Sequence, residues 1–228
     1  MSSKQGRIES LTLTGEAGAL EALLNIDSPP SGADAKYAAL VCHPHPLFGG
    51  TMHNKVVYHA MKTLHGFGFP VLRFNFRGVG SSAGEHDEGR GEVADVHVTL
   101  DFLAERFALP VLFAGYSFGA AVGLRAAIAH PRVAGLILLG PPVRVEERKY
   151  SYEGLHDSAL PKLMVSGDRD QYAPLAELQD IFSRVAEPKR LVLVPGADHF
   201  FGGHMEELRQ ALRGWVREPT GLAAAPAV

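Results

Sequence analysis

Apolar positions along this chain follow two periods that alternate from about residue 36 onward. One kind of segment is a near-continuous apolar run: Tyr37–Cys42, Pro70–Phe76, Pro110–Ala114, Val133–Leu139, Lys162–Ser166 and Arg190–Val194. Runs of this length suit strands covered on both faces. The other kind repeats every three or four residues. Residues 53–65 put Val56, Val57, Ala60, Met61 and Leu64 on one face and stop at Gly66. Residues 91–107 space Val93, Val96, Leu100, Leu103 and Phe107 in the same way, and 118–130, 174–186 and 204–217 complete a set of helices. Strand–helix alternation with connections of this length predicts an α/β fold: a mostly parallel, doubly wound sheet with helices on both faces.

The start of the chain breaks this rhythm. RIESLTLTG and ALEALLNI flank Thr14–Gly18 and predict an antiparallel hairpin added to one sheet edge. DSPPSGADA, residues 27–35, reads as a surface loop. One domain is expected over residues 1–217, and EPTGLAAAPAV, 218–228, has no pattern that could bury anything and reads as a disordered tail. There is no internal repeat. Residues 140–161, between two predicted strands, are too few for an inserted cap domain, so any site should be open.

Bulk properties narrow the function without naming it. The chain has 228 residues, 46% hydrophobic and 21% charged, with mean hydropathy +0.02, ordinary values for a globular protein with one large core. A net charge of −3 and a pI near 6.4 give no basic field for nucleic acid or an anionic membrane. Cys42 is the single cysteine, so no internal disulfide can form, which fits a reducing compartment. MSSKQGRIES has no apolar leader and no stretch approaches the ~18 apolar residues of a membrane span, so a cytoplasmic location is the expectation. A homo-oligomer is left open.

The chemistry concentrates in VLFAGYSFGAAVG, residues 111–123. Ser117 stands where a strand becomes a helix, between Gly115 and Gly119. So sharp a turn strains the central residue, and side chains two positions before and after would collide. It lifts the hydroxyl to the carboxyl edge of the sheet, beside the free N–H groups of a helix start. The competing reading is a serine that only caps the helix. A serine nucleophile needs a base, and the base needs orienting; in this strand order the acid follows the serine and the histidine comes last. His199, in the loop GADHFF before the final helix, is the candidate base; His204 is expected in the first turn of that helix. In SGDRDQYAP, Asp170 is favoured as the acid because it projects back over the sheet edge, with Asp168 as the substitute. Asp198, next to His199 in sequence, reads as a loop cap.

These segments, together with CHPHPLFGGTMHNKVV (42–57) and LRFNFRGVGSSAGEHDEGRGEVAD (72–95), resemble the α/β-hydrolases, and are similar to small capless bacterial members predicted to be esterases. The resemblance implies the triad Ser117–Asp170–His199 already reached from spacing. It also implies an oxyanion hole made by the N–H of Phe118 and an N–H of the loop 43–50. Pro44 and Pro46 have no N–H. His45 occupies the position that donates in many relatives, with Leu47 as the alternative. Relatives use the loop after Arg77 to shape the site mouth, with Arg77 tying it down.

Three lookalikes weigh less. Gly78-Val79-Gly80-Ser81-Ser82-Ala83 imitates a dinucleotide fingerprint, but no helix follows at once. His43, His45 and His53 lack partners at metal-ligand spacing, and Cys42 should point opposite to His43 and serve as a small core residue. Glu85–Glu92 reads as a solvated loop, with a role at the site rim as the alternative. The expected function is a serine hydrolase cleaving small carboxylic esters through an acyl-enzyme, with no metal or organic cofactor needed. Thioesterase, peptidase and acyltransferase activities would use the same triad, and a non-catalytic binding protein is the rival from another class.

Overall fold

The computed structural model describes residues 5–28 and 35–218. Most of the predicted 27–35 loop and the tail from residue 219 lie outside the described residues; Glu218 pairs with Arg190. In chain order the structure runs β1 (Gln5–Gly15), β2 (Gly18–Ser28), β3 (Ala38–Cys42), α1 (Lys55–His65), β4 (Val71–Phe74), α2 (Gly91–Phe107), β5 (Val111–Tyr116), α3 (Phe118–Ala127) and β6 (Val133–Leu139). A small pair β7 (Arg144–Val145) and β8 (Arg148–Lys149) follows, then β9 (Lys162–Gly167), α4 (Leu175–Arg184), β10 (Lys189–Val194) and α5 (Met205–Arg217).

Eight strands form one sheet in the order β1-β2-β4-β3-β5-β6-β9-β10. β1 and β2 make the N-terminal antiparallel hairpin, β2 joins β4 antiparallel, and every other pair is parallel. From β3 the chain steps outward to β4, then crosses back over β3 to β5. Adjacent strands that depart in opposite directions leave a crevice at their carboxyl ends, where ligands bind in such sheets. The loops after β3 and β5 open into it.

The period-two alternation of buried strands divides the core. Leu40, Leu72, Phe74 and Phe113 face a layer completed by α2 and α3, while Ala39, Val41, Val71 and Leu112 face one completed by α1 and α5. α5 buries only Leu208, Leu212 and Trp215, one stripe of a charged helix. Each such side chain contributes roughly 1.5–3 kcal/mol. α1 starts where Asn54 Oδ1 accepts the Val56 N–H at 2.9 Å, an N-cap that satisfies an otherwise unpaired donor. Cys42 is fully buried in the α2–α3 layer.

Candidate active site

Ser117 sits between β5 and α3 with φ 54° and ψ −120°, a conformation L-residues rarely adopt. The flanking glycines explain how the chain reaches it. A Cβ on Gly115 would lie 2.4 Å from the Gly119 carbonyl oxygen, and one on Gly119 would lie 2.5 Å from that of His43. Backbone surrounds both, so only hydrogen fits. The bend is tied down by Ser117 N–H donating to Leu139 O at 2.9 Å on β6. Although Ser117 occupies the N-cap position of α3, its side chain makes no capping hydrogen bond. The hydroxyl goes to His199 instead.

His199 Nε2 lies 2.8 Å from Ser117 Oγ, and His199 Nδ1 lies 2.9 Å from Asp170 Oδ2. The carboxylate accepts only, so Nδ1 carries the proton and Nε2 offers its lone pair to the serine hydroxyl. Asp170 Oδ1 accepts the Tyr172 and Ala173 N–H groups at 2.8 and 3.1 Å, which fixes the carboxylate in its loop. Asp168 points away and accepts the Gly196 N–H at 2.7 Å, holding the neighbouring turn. Asp198 caps its own loop by accepting the Phe200 N–H at 3.0 Å. His204 is the N-cap residue of α5, just before its first turn, and faces Glu207. The Tyr116 ring stacks on the His199 imidazole, and its hydroxyl donates to His199 O at 3.1 Å. Burial raises the Tyr116 pKa, so the phenol stays protonated.

A family model described as serine aminopeptidase, S33, matches residues 35–153, more than half the chain. The chain belongs to the α/β serine hydrolase family. An uncharacterized protein of Rickettsia prowazekii is 37% identical over 185 residues, 78% of this chain and 77% of that one. Among solved structures, an α/β serine hydrolase homologue from Coxiella burnetii is 37% identical, with TM-score 0.79 over 90% of this chain and 96% of that one. A lidless α/β serine hydrolase from Xanthomonas campestris is 35% identical, with TM-score 0.82 over 96% and 97%.

In this hydrolase the loop after β3 is held by His43. His43 Nε2 accepts the Phe76 N–H at 3.0 Å, so its proton is on Nδ1, which donates to Pro44 O at 2.6 Å. Burial first of all lowers the His43 pKa to about 4, keeping the ring neutral. The Pro44–His45 peptide is trans, and a trans peptide points its C=O and N–H in opposite directions. Pinning Pro44 O therefore aims the His45 N–H. Among the described residues neither that N–H nor the Phe118 N–H has an acceptor, whereas the Leu47 N–H donates to His45 Nδ1 at 3.2 Å. The His45 and Phe118 rings are 4.7 Å apart. Burial, then His86 and Arg148, lowers the His45 pKa to about 4.

Ser117, His45, Phe118 and His199 open into a cleft of about 290 Å³. Its walls include side chains that the periodicity did not single out: Phe48, Tyr116, Tyr150, Tyr172, Phe200 and Glu146. Among the described residues no cap domain is present, but residues 140–161 do more than close a gap. They build the β7–β8 hairpin, whose Val145 and Glu146 line the cleft. The solvated reading of Glu85–Glu92 holds for Glu85, Glu88 and Arg90, which are exposed, and is corrected at Glu92, in the first turn of α2. Glu92 is fully buried and its carboxylate accepts the Asp87 and Gly89 N–H groups at 3.0 and 2.8 Å. His86 Nδ1 stands 2.5 Å from Glu92 Oε1, though neither His86 ring nitrogen makes an aligned hydrogen bond within the described residues. Its ring packs 4.8 Å from His45 and 5.6 Å from Phe118. Arg148 donates to Glu88 O at 2.7 Å and joins this loop to the hairpin. Arg77 binds Asp95 through its backbone N–H and guanidinium at 2.8 to 3.2 Å, anchoring the start of the loop to α2. The glycine-rich turn that follows is filled by its own bonds: Glu21 accepts the Ser81 N–H and Ser82 Oγ donates to Asn75 O.

Proposed function

We propose that this protein is a serine carboxylesterase that hydrolyses small carboxylic esters with short acyl groups through an acyl-enzyme. The observation that carries the reading is the hydrogen-bonded run from Asp170 through His199 to Ser117 on a strained bend at the carboxyl edge of the sheet. Ser117 Oγ attacks the carbonyl carbon while His199 Nε2 takes its proton, and Asp170 holds the imidazole and stabilises its charged form. The Phe118 N–H and the His45 N–H receive the developing oxyanion; losing one such donor typically costs ~2.7–4 kcal/mol of barrier. The C–O bond to the alcohol then breaks as His199 returns the proton to the leaving oxygen. Water, activated by the same imidazole, hydrolyses the acyl-enzyme and frees Ser117.

The short-acyl assignment is supported by the modest cleft, over which the described residues place no cap that could enclose a long chain. Rates on p-nitrophenyl esters from C2 to C16 test it: the maximum is expected among the shortest chains, and a maximum at C12 or longer rejects it. The description of the matching family model favours examining a second reading, cleavage of an amino-terminal peptide bond. Amino-acid p-nitroanilides turned over as fast as the best ester would select it. Thioester cleavage and acyl transfer use the same steps; product ratios with an added alcohol or amine identify the latter.

A further inference from the structure

The alcohol part of an ester has a defined place in this chemistry. Its oxygen receives a proton from His199 as the carbonyl–oxygen bond breaks, so the group attached to that oxygen lies beside the imidazole. What stands beside the imidazole is aromatic. The Tyr172 ring centroid is 4.8 Å from that of His199 at 86°, Phe200 is 5.6 Å away at 85°, and Tyr172 and Phe200 are 6.5 Å apart at 85°. Both rings line the same cleft as Ser117. Phe48 lines it too, but packs on His45 of the opposite loop, with centroids 4.7 Å apart.

The backbone that carries each ring is tied down. The Tyr172 N–H is held by Asp170 Oδ1, and its carbonyl accepts the Val143 and Arg144 N–H groups at 2.8 and 3.1 Å. Phe200 is fixed through its N–H on Asp198 and lies between buried His199 and buried Phe201. Even so, Phe200 is 49% exposed. A phenyl left half uncovered at a site mouth is unfavourable in water and is relieved when a ligand covers it. Rings already set edge-to-face offer a further aromatic ring the geometry it prefers, which a saturated ring of the same size cannot use.

Resting on the reading of Ser117 and His199 as nucleophile and base, we propose that Tyr172 and Phe200 form an alcohol-side subsite for an aromatic ring, so that the substrate class is esters of aryl-substituted alcohols. The test compares 2-phenylethyl acetate with 2-cyclohexylethyl acetate. They share the acyl group, and the ring stands two carbons from the leaving oxygen, so intrinsic reactivity is matched. The wild-type protein should favour the phenyl ester by about tenfold in kcat/KM. Phe200→Leu should reduce that ratio to about threefold or less, with Ser117 still taking the fluorophosphonate as the check that the protein is folded; Phe200→Tyr should restore the ratio. A wild-type ratio near one, or a ratio unmoved by Phe200→Leu, overturns the subsite while labelling stays normal. Absence of both labelling and hydrolysis instead removes the hydrolase reading, and the subsite falls with it.

Discussion

At the scale of single residues, the proposed chemistry depends on which nitrogen of His199 holds the proton. Asp170→Asn can present an amide N–H₂ to Nδ1 and turn the imidazole to the wrong tautomer. It should lower kcat about 10⁴-fold with little change in KM, as measured on a short-chain ester. Asp168→Asn, which disturbs only the turn at Gly196, should stay within a few-fold of wild type on the same assay. His43→Phe removes the proton that pins Pro44 O, so the His45 N–H loses its aim. A kcat loss of about 10²–10³ with a nearly unchanged KM is expected. That variant also has a pH signature. The folded-state pKa of His43 is depressed to about 4 from 6.5. Between those values the unfolded chain binds a proton there that the folded chain refuses, so stability is full above pH 6.5 and falls as the pH drops towards 4. The loss is roughly 3 kcal/mol over that window; His45, similarly depressed but less buried, adds less. Urea titrations from pH 7 to 4 should show a shallower decline in His43→Phe, and an equal decline would remove His43 from the explanation. Ser117, Asp170 and His199 were legible because spacing and chain order constrain them. The work of His43 was not, since a ring bonding its own next carbonyl leaves no periodic trace.

At the scale of elements, the bend after β5 tolerates no added atom. Gly119→Ala would press a methyl group onto the His43 carbonyl, and backbone cannot move aside cheaply. An overpacking cost of about 1–3 kcal/mol corresponds to a Tm fall of roughly 3–10 °C, readable by calorimetry. Arg148→Ala tests the hairpin differently. It frees β7–β8 from the Glu88 loop, so KM for esters should rise several-fold while kcat stays within about threefold. Tm should hardly move, because exposed ion pairs contribute about 0–1 kcal/mol. The hairpin escaped the sequence reading because its turn uses Glu146 at φ 52° where a hairpin signal would show glycine or asparagine. Other boundaries moved for similar reasons. β4 ends at Phe74, two residues early, because the Asn75 N–H turns to Glu21 O and the Phe76 N–H to His43. β5 runs on to Tyr116 because Gly115 and Tyr116 still pair with Leu138 and Leu139. Glu92 read as solvated because charge normally faces water; only folding shows the two backbone donors that make its burial tolerable.

For the whole molecule, the switch between two apolar periods was enough to read a parallel sheet with two covered faces and a separate hairpin at its edge. It could not give the strand order, because pairing between β2 and β4 depends on contacts distant in sequence. That order is what brings the loops after β3, β5, β9 and β10 to one crevice, so three residues spread from 117 to 199 meet at hydrogen-bonding distance. Among the described residues no helix is long and apolar enough to cross a membrane. The most direct test of the account is to react the folded protein with a fluorophosphonate and map the adduct by peptide mass spectrometry. A single adduct on Ser117, lost in Ser117→Ala and on prior heat unfolding and strongly slowed in His199→Ala, is the predicted result. An adduct on any other residue, or labelling that persists undiminished in Ser117→Ala, would contradict it.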